Sequence, residues 1–390
     1  MQDSTGGRVS LATIAREWSR IGMVGFGGPP AHIALLRKLC VEERGWLSAR
    51  EFEDGIAATS LLPGPASTQL AIFCAGRVGG PLGAILGGVC FIAPGLVIIL
   101  GLAAVFLTDR PSLWVLGAAA GAGAAVPAVA VHAAVGLLPA SSRRSGGVRA
   151  TRMRWILYLG AGAVATATIG PYLVIVLLAC GLLEAVVRLR PDPGRTASVG
   201  LFPALGIQAA VAGGLGAVGW VAFKVGALSF GGGFVIIPLM QHDAVTTYHW
   251  MTGAQFLNAV ALGQVTPGPV VQTVAVVGYA AAGVAGGLFA ALVAFAPSFV
   301  FVLGGAPHFE RLRSSQRLQA FLGGAGPAAI GAIAGAAIPL GLELTHLWQL
   351  AILAIAAAWL LGLRKGVVGA LLGSGILGVI AVLAGLPVSH

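Results

Sequence analysis

A Pro-Gly-Pro stretch that occurs twice constrains this chain more than any other feature. The first copy is Leu62-Pro63-Gly64-Pro65-Ala66-Ser67-Thr68-Gln69, and the second is Thr266-Pro267-Gly268-Pro269-Val270-Val271-Gln272-Thr273. A shift of 204 residues superposes them without a gap. The same shift lays Phe26-Gly27-Gly28 on Phe230-Gly231-Gly232, Trp46 on Trp250, Phe52 on Phe256, Gly22 on Gly226 and Gly83 on Gly287. Chance matches in a Gly/Ala-rich chain drift out of register, so this one marks an internal repeat. Each Pro-Gly-Pro lies inside an apolar run. Proline removes an amide donor and stops a helix, and glycine admits backbone angles that other residues avoid. Interrupted backbone at membrane depth is tolerated only where it is buried or lines a polar cavity. Matched breaks in two halves are the best sequence pointer to a transporter's substrate site.

The membrane itself follows from composition. The chain is 57% hydrophobic and 9% charged, against about a quarter charged in a soluble domain. Apolar runs such as 82–107 and 113–139 exceed the ~20 residues of a spanning helix. The fold class is therefore an all-α polytopic membrane protein in contact with the lipid bilayer. Small residues spaced for close helix packing occur at Gly83/Gly87, Gly117/Gly121 and Gly331/Gly335. The net charge of +10 does not indicate nucleic acid, because most basic residues sit in short loops where they set topology. The amino terminus shows no signal-peptide core, and residues 9–20 suit an amphipathic helix on the membrane surface. The four cysteines form no CxxC pair, so no metal site, disulfide framework or cofactor is indicated.

Three parts are expected. Residues 1–190 form the first repeat, 191–222 a linker with an extra transmembrane segment at 201–222, and 223–390 the second repeat. Loops 37–50, 140–154 and 188–200 carry four, five and three Lys/Arg, which places them in the cytoplasm. The counterparts of the first two, 241–250 and 343–347, carry none, whereas 306–317 carries Arg311, Arg313 and Arg317. The bias reverses between halves, as in two inverted-topology repeats with broken or re-entrant helices. Segments 19–36 and 55–76 either both span or both re-enter, and the charge of 37–50 favours re-entry.

Phe26-Gly27-Gly28-Pro29-Pro30-Ala31-His32, Trp46-Leu47-Ser48, Leu62-Pro63-Gly64-Pro65 and Ser229-Phe230-Gly231-Gly232-Gly233 resemble the chromate ion transporter family in its long, two-domain form. The resemblance covers most of both halves. It implies a multi-pass carrier of the bacterial inner membrane that exports chromate, with sulfate as the look-alike anion. The halves differ at several positions: Asn258 stands opposite Asp54, Gln255 opposite Glu51, and Gly233-Phe234 opposite Pro29-Pro30. A symmetric site is therefore not expected.

A tetrahedral dianion needs donors and positive charge where water is scarce. The breaks at Phe26, Gly27, Gly28 and Phe230, Gly231, Gly232, and at Pro63, Gly64, Pro65 and Pro267, Gly268, Pro269, offer amides at new helix N-termini. Ser67, Thr68, Gln69, Thr266, Gln272 and Thr273 add side-chain donors. The alternative is that the breaks only kink helices for packing. Arg77 and Lys224 are candidate anion partners, or else snorkel to the interface. Asp54 is a candidate proton carrier or a helix cap. His32 titrates, donates to the anion, or is structural. Glu184 and His132 lie in apolar runs without a matching partner.

A secondary carrier for chromate, driven by the proton gradient or by anion exchange, is the leading reading. An uptake permease for sulfate or another oxyanion is the alternative, and a homodimer stays open. No Walker motif, HExxH, GxSxG or cofactor fingerprint argues for ATP drive or for an enzyme.

Overall fold

The computed structural model of the chain describes residues 8–60, 62, 64–108, 111–145, 149–168, 173–189, 214–229, 236–305 and 315–388. Pro63, Phe230, Gly231 and Gly232 lie outside the described residues, as do most of the expected segment 201–222 and most of loop 306–317. The described residues form fourteen helices and no strand. The first half holds α1 (Leu11–Val24), α2 (Pro29–Arg37), α3 (Ala49–Thr59), α4 (Ala66–Phe106), α5 (Leu113–Ser145), α6 (Arg149–Thr168) and α7 (Leu173–Arg188). The second holds α8 (Leu215–Leu228), α9 (Ile236–Gln241), α10 (Gly253–Val265), α11 (Thr273–Gly305), α12 (Gln316–Leu342), α13 (Leu347–Ala357) and α14 (Val367–Leu383). Both ends of α8 lie 204 residues beyond those of α1. The π-helical turns Lys38–Glu43 and His242–Thr247 obey the same shift. The repeat thus begins earlier than its motifs, and α8 runs across the boundary expected at 222/223. Four stretches, Ala66–Phe106, Leu113–Arg143, Val270–Gly305 and Gln316–Leu342, are long and apolar enough to cross a membrane.

Glycine cuts two of these long stretches. In α4, Gly80 has φ +72°, a left-handed angle that suits glycine. Residues 75 and 87 of a straight helix would stand about 18 Å apart, yet Gly87 packs on Ala75, and Gly76 on Ala84. The chain therefore folds back at Gly80 into two antiparallel arms. In α11, Gly283 at φ +62° makes the same fold, with Gly278 on Gly286 and Gly287 on Ala275. The Gly83/Gly87 spacing seen in the sequence serves this hairpin.

The segments before these folds also turn back. The α2 stretch returns toward the start of α1, so that Arg44 Nη2 reaches Glu17 Oε1 at 2.8 Å and Trp46 stacks on Trp18. Helix α3 starts at a Ser48–Glu51 capping box and packs Gly55 on Phe73 of the first arm of α4. Segments 19–36 and 55–76 thus turn back at their breaks. Trp18 ties them together by donating Nε1–H to the Ala71 carbonyl at 2.9 Å.

The second arms of α4 and α11, equivalent under the repeat, cross each other antiparallel. Gly88 lies against Phe299, and Leu100 against Gly287. The remaining helices exchange partners between halves. Helix α5 presents Gly117 and Gly121 to Gly378 and Ser374 of α14. Helix α12 presents Gly331 and Gly335 to Leu159 and Ala163 of α6, and Gly324 to Cys180 of α7. At each of these glycines a Cβ would meet neighbouring backbone, so small residues set the interhelical distance. The halves are interlocked, and the largest buried cluster draws on both.

Candidate functional site

The first Pro-Gly-Pro break starts the first arm of α4. Pro65 ends the extended stretch at φ −70°, ψ 101°, and no side chain caps the helix behind it. Its first-turn amides therefore face the break. Gly64 has φ +123°. A Cβ there would stand 3.2 Å from Ser298 Oγ, a residue in the second arm of α11. The second break sits against the other half in turn. Gly268 at φ +98° donates its amide to the Gly25 carbonyl at 3.0 Å. Gly95, in the second arm of α4, faces the Pro267 carbonyl and Gln272 so closely that no Cβ fits. Each Pro-Gly-Pro therefore rests on the spanning arm of the opposite half, near the middle of that arm.

Buried polar atoms gather at these breaks. Among the described residues, Thr68 Oγ1, Ser229 Oγ, Gln264 Nε2, Gln272 Oε1 and Ser298 Oγ are buried with no hydrogen-bond partner. An unmade hydrogen bond costs about 1–3 kcal/mol for each buried group. Thr68 lies in the first turn behind the first break, Ser298 faces Gly64, and Gln264 and Gln272 flank the second break. Four of the five are potential donors.

The expected site residues fall into three groups. Gly64, Pro65, Thr68 and Gln69 meet at the first break, and Pro267, Gly268, Pro269, Gln272 and Thr273 at the second. Gly27 and Gly28 shape the tip of the α1–α2 hairpin, and Gly28 approaches Val270. Phe26 is 44% exposed and contributes no polar group. His32 is fully buried between the two breaks: its ring bonds Ser67 and Gly25.

Some donors differ from expectation. The α2 N-terminus offers few amides, because Pro29 and Pro30 have none and the amides of Ala31 and His32 bond the Gly28 carbonyl. Gln272 donates its Nε2 to the Ile92 carbonyl at 2.8 Å, and its oxygen is buried without a partner. Thr273 donates to the Val270 carbonyl, and Thr266 to that of Leu262.

The cations are not at the breaks. Arg77 pairs with Glu51 at 2.7 Å and is 53% exposed, at the far end of the first arm of α4. Lys224 pairs with Asp243 at 2.5 Å and lies over the Trp220 ring. Its repeat counterpart Arg20 pairs with Glu17 and Glu43. Both pairs tie the outer end of a first hairpin. Asp54 is half-buried along α3, and His132 half-buried in α5. Glu184 is 2% exposed and bonded by Arg154 at 2.8 Å, Arg188 at 2.6 Å and Tyr158 at 3.0 Å. This clamp joins α6 to α7. Ser298 is not among the expected residues; its single hydroxyl in a long apolar stretch is the available signal.

This chain is similar to several known proteins. The chromate transport protein of Cupriavidus metallidurans is 34% identical over 339 residues, covering 85% of this chain and 82% of the relative. A probable chromate transport protein of Synechococcus elongatus is 30% identical over 364 residues, covering 90% and 91%. The chromate transport protein of Pseudomonas aeruginosa is 30% identical over 348 residues, covering 85% and 81%. No solved structure matches the chain. The family pattern for chromate transporters matches twice, over residues 12–185 and 216–379. The two matches start 204 residues apart, one residue into α1 and α8. The family repeat and the structural repeat are the same unit, and this multi-pass membrane protein belongs to the chromate transporter family.

Proposed function

We propose that the chain exports chromate from the cytoplasm as a secondary carrier, binding the dianion between the two Pro-Gly-Pro breaks. One observation carries this reading: the breaks of both halves meet the middle of the two crossing arms, with the buried unpartnered Thr68 and Ser298 hydroxyls at the first of them. Hydroxyl donors and first-turn amides suit a tetrahedral oxyanion, and the broken helices direct positive dipole ends toward it. The proton gradient or anion exchange supplies the drive. The antiparallel crossing of equivalent arms supports inversion of one half relative to the other, so that the site opens alternately to either side.

Flux in oriented vesicles tests the transport reading. Energised inside-out vesicles should accumulate chromate, sulfate should compete, and nitrate should compete at least ~10-fold more weakly because a monovalent planar anion leaves donors unmatched. Accumulation only in right-side-out vesicles would favour oxyanion uptake instead. Equal competition by nitrate would remove the dianion site.

Cysteine labelling tests the inversion separately. Residues 140–154 and 306–317 should react from the cytoplasm, and 241–250 and 343–347 from the other face. Glu343 lies beside Gln241 and Gly253, which supports a shared face for the latter two. Labelling of 37–50 and 241–250 from the same face would overturn the inversion.

A further inference from the structure

His32 is 0% exposed, and its ring spans both breaks. Nε2 lies 2.9 Å from the Gly25 carbonyl, and Nδ1 lies 3.2 Å from Ser67 Oγ. A carbonyl carries no proton, so Nε2–H donates to Gly25. In the neutral ring Nδ1 is then the acceptor, and the Ser67 hydroxyl donates to it. The Gly25 carbonyl also accepts from the Gly268 amide. The ring therefore joins the tip of the α1–α2 hairpin, the start of α4 and the opposite Pro-Gly-Pro. Phe91 closes its face edge-on, at 5.1 Å between centroids.

No charged group bonds this ring among the described residues. The titratable side chains of the packed elements are Arg16, Glu17 and Arg20 on α1, Arg37 on α2, and Cys74, Arg77 and Cys90 on α4. Glu17, Arg20, Arg37 and Arg77 are engaged with other partners. The second-half stretch 266–272 contributes none.

The repeat supplies an internal control. The counterparts of His32 and Ser67 are Ile236 and Val271, which are 0% and 1% exposed, while the counterpart of Phe91 is Phe295. The same break is thus built in the second half with an apolar pair. The fold does not require a buried imidazole and hydroxyl there, since an apolar pair fills the same place without the hydrogen bonds that buried polar groups need.

We propose that His32 and Ser67 form a proton-controlled donor on one side of the anion site. This rests on the binding reading given above. When the ring takes a second proton, both nitrogens become donors. Ser67 Oγ must then accept from Nδ1–H, and its own O–H turns away from the ring. That proton faces the first turn of α4, beside the unpartnered Thr68 hydroxyl. Protonation therefore adds one positive charge and one donor at the break. A charged ring in this dry place needs a counter-charge, and a dianion supplies it. By linkage, the anion and the proton each raise affinity for the other, one proton for each anion.

The test is sulfate binding to the purified full chain by titration calorimetry at pH 6 and pH 8. Sulfate is the probe because it stays a dianion across the histidine range of about pH 5–8. The wild type should bind at least ~10-fold more tightly at pH 6, with proton uptake seen as a buffer-dependent heat. His32→Gln keeps a donor for Gly25 but cannot take a second proton, so its affinity should change less than ~2-fold across that range. The double variant His32→Ile with Ser67→Val copies the second half and guards against misfolding; it should insert and show the same flat profile. Ser67→Ala should bind more weakly yet keep the pH slope. An unchanged slope and unchanged proton uptake in both His32 variants would overturn the proposal while leaving the anion site intact. Failure of the wild type to bind sulfate at pH 6 and chromate at pH 8 would sink the site itself.

Discussion

Valine at Gly64 or Gly268 should reduce chromate transport per inserted molecule at least ~10-fold, equivalent to ~1.4 kcal/mol or more. Both glycines hold left-handed angles, φ +123° and +98°. A β-branched residue there is a steric outlier, and left-handed backbone costs an ordinary L-residue roughly 1–2 kcal/mol. Space is short as well. A Cβ at Gly64 would stand 2.5 Å from Gln69 Nε2 and 3.2 Å from Ser298 Oγ, and one at Gly268 would stand 3.2 Å from Gln272 Nε2. These neighbours are the side chains that surround the proposed anion. Pro63→Ala and Pro267→Ala make the companion variants. Helix α10 stops at Val265 with Thr266 extended, and alanine at 267 would let it continue and use up amides that face the break. The proline variants should weaken binding more than folding. If the breaks served only packing, the alanine variants would transport in proportion to their amount. Near wild-type rates in both valine variants would remove the Pro-Gly-Pro site.

Cutting the chain within residues 190–200 should give two pieces that are unstable apart and functional together. Helix α5 of the first half packs its glycine face on α14, and α12 of the second packs on α6 and α7. A half expressed alone loses the partners of these close-packed faces, and small-residue faces gain little from lipid contact. Each piece alone should be degraded or aggregate in the membrane. Co-expression should restore an intact complex, read by co-purification and by chromate flux. A first half that inserts, resists proteolysis and binds chromate by itself would contradict the interlocked arrangement.

The cation pairs show where sequence reasoning stops. Arg77 and Lys224 stand out in the sequence because each is a charge in apolar surroundings. That criterion identifies a residue that needs a partner and cannot say which. Glu51 lies 26 residues from Arg77 and Asp243 lies 19 from Lys224, and only the return of each hairpin brings them within reach. Glu184 behaves likewise: Arg154 is 30 residues away in sequence. Hairpin folding answers each of these charges away from the breaks.

The sequence alone determined the class of the fold, the repeat and the positions of the two Pro-Gly-Pro breaks. These are local or compositional properties. Proline lacks an amide, glycine tolerates positive φ, and long apolar runs require a bilayer; none of these depends on distant contacts. The 204-residue register follows because both halves use the same local chemistry at the same spacing. Tertiary structure decided the rest. It folded α4 and α11 back at Gly80 and Gly283, exchanged helices between halves, set each Pro-Gly-Pro on the opposite spanning arm, and placed His32 between Gly25 and Ser67. Those choices depend on which small-residue faces meet. Many Gly/Ala faces in this chain look alike in sequence, and their complementarity exists only when the helices are packed in three dimensions.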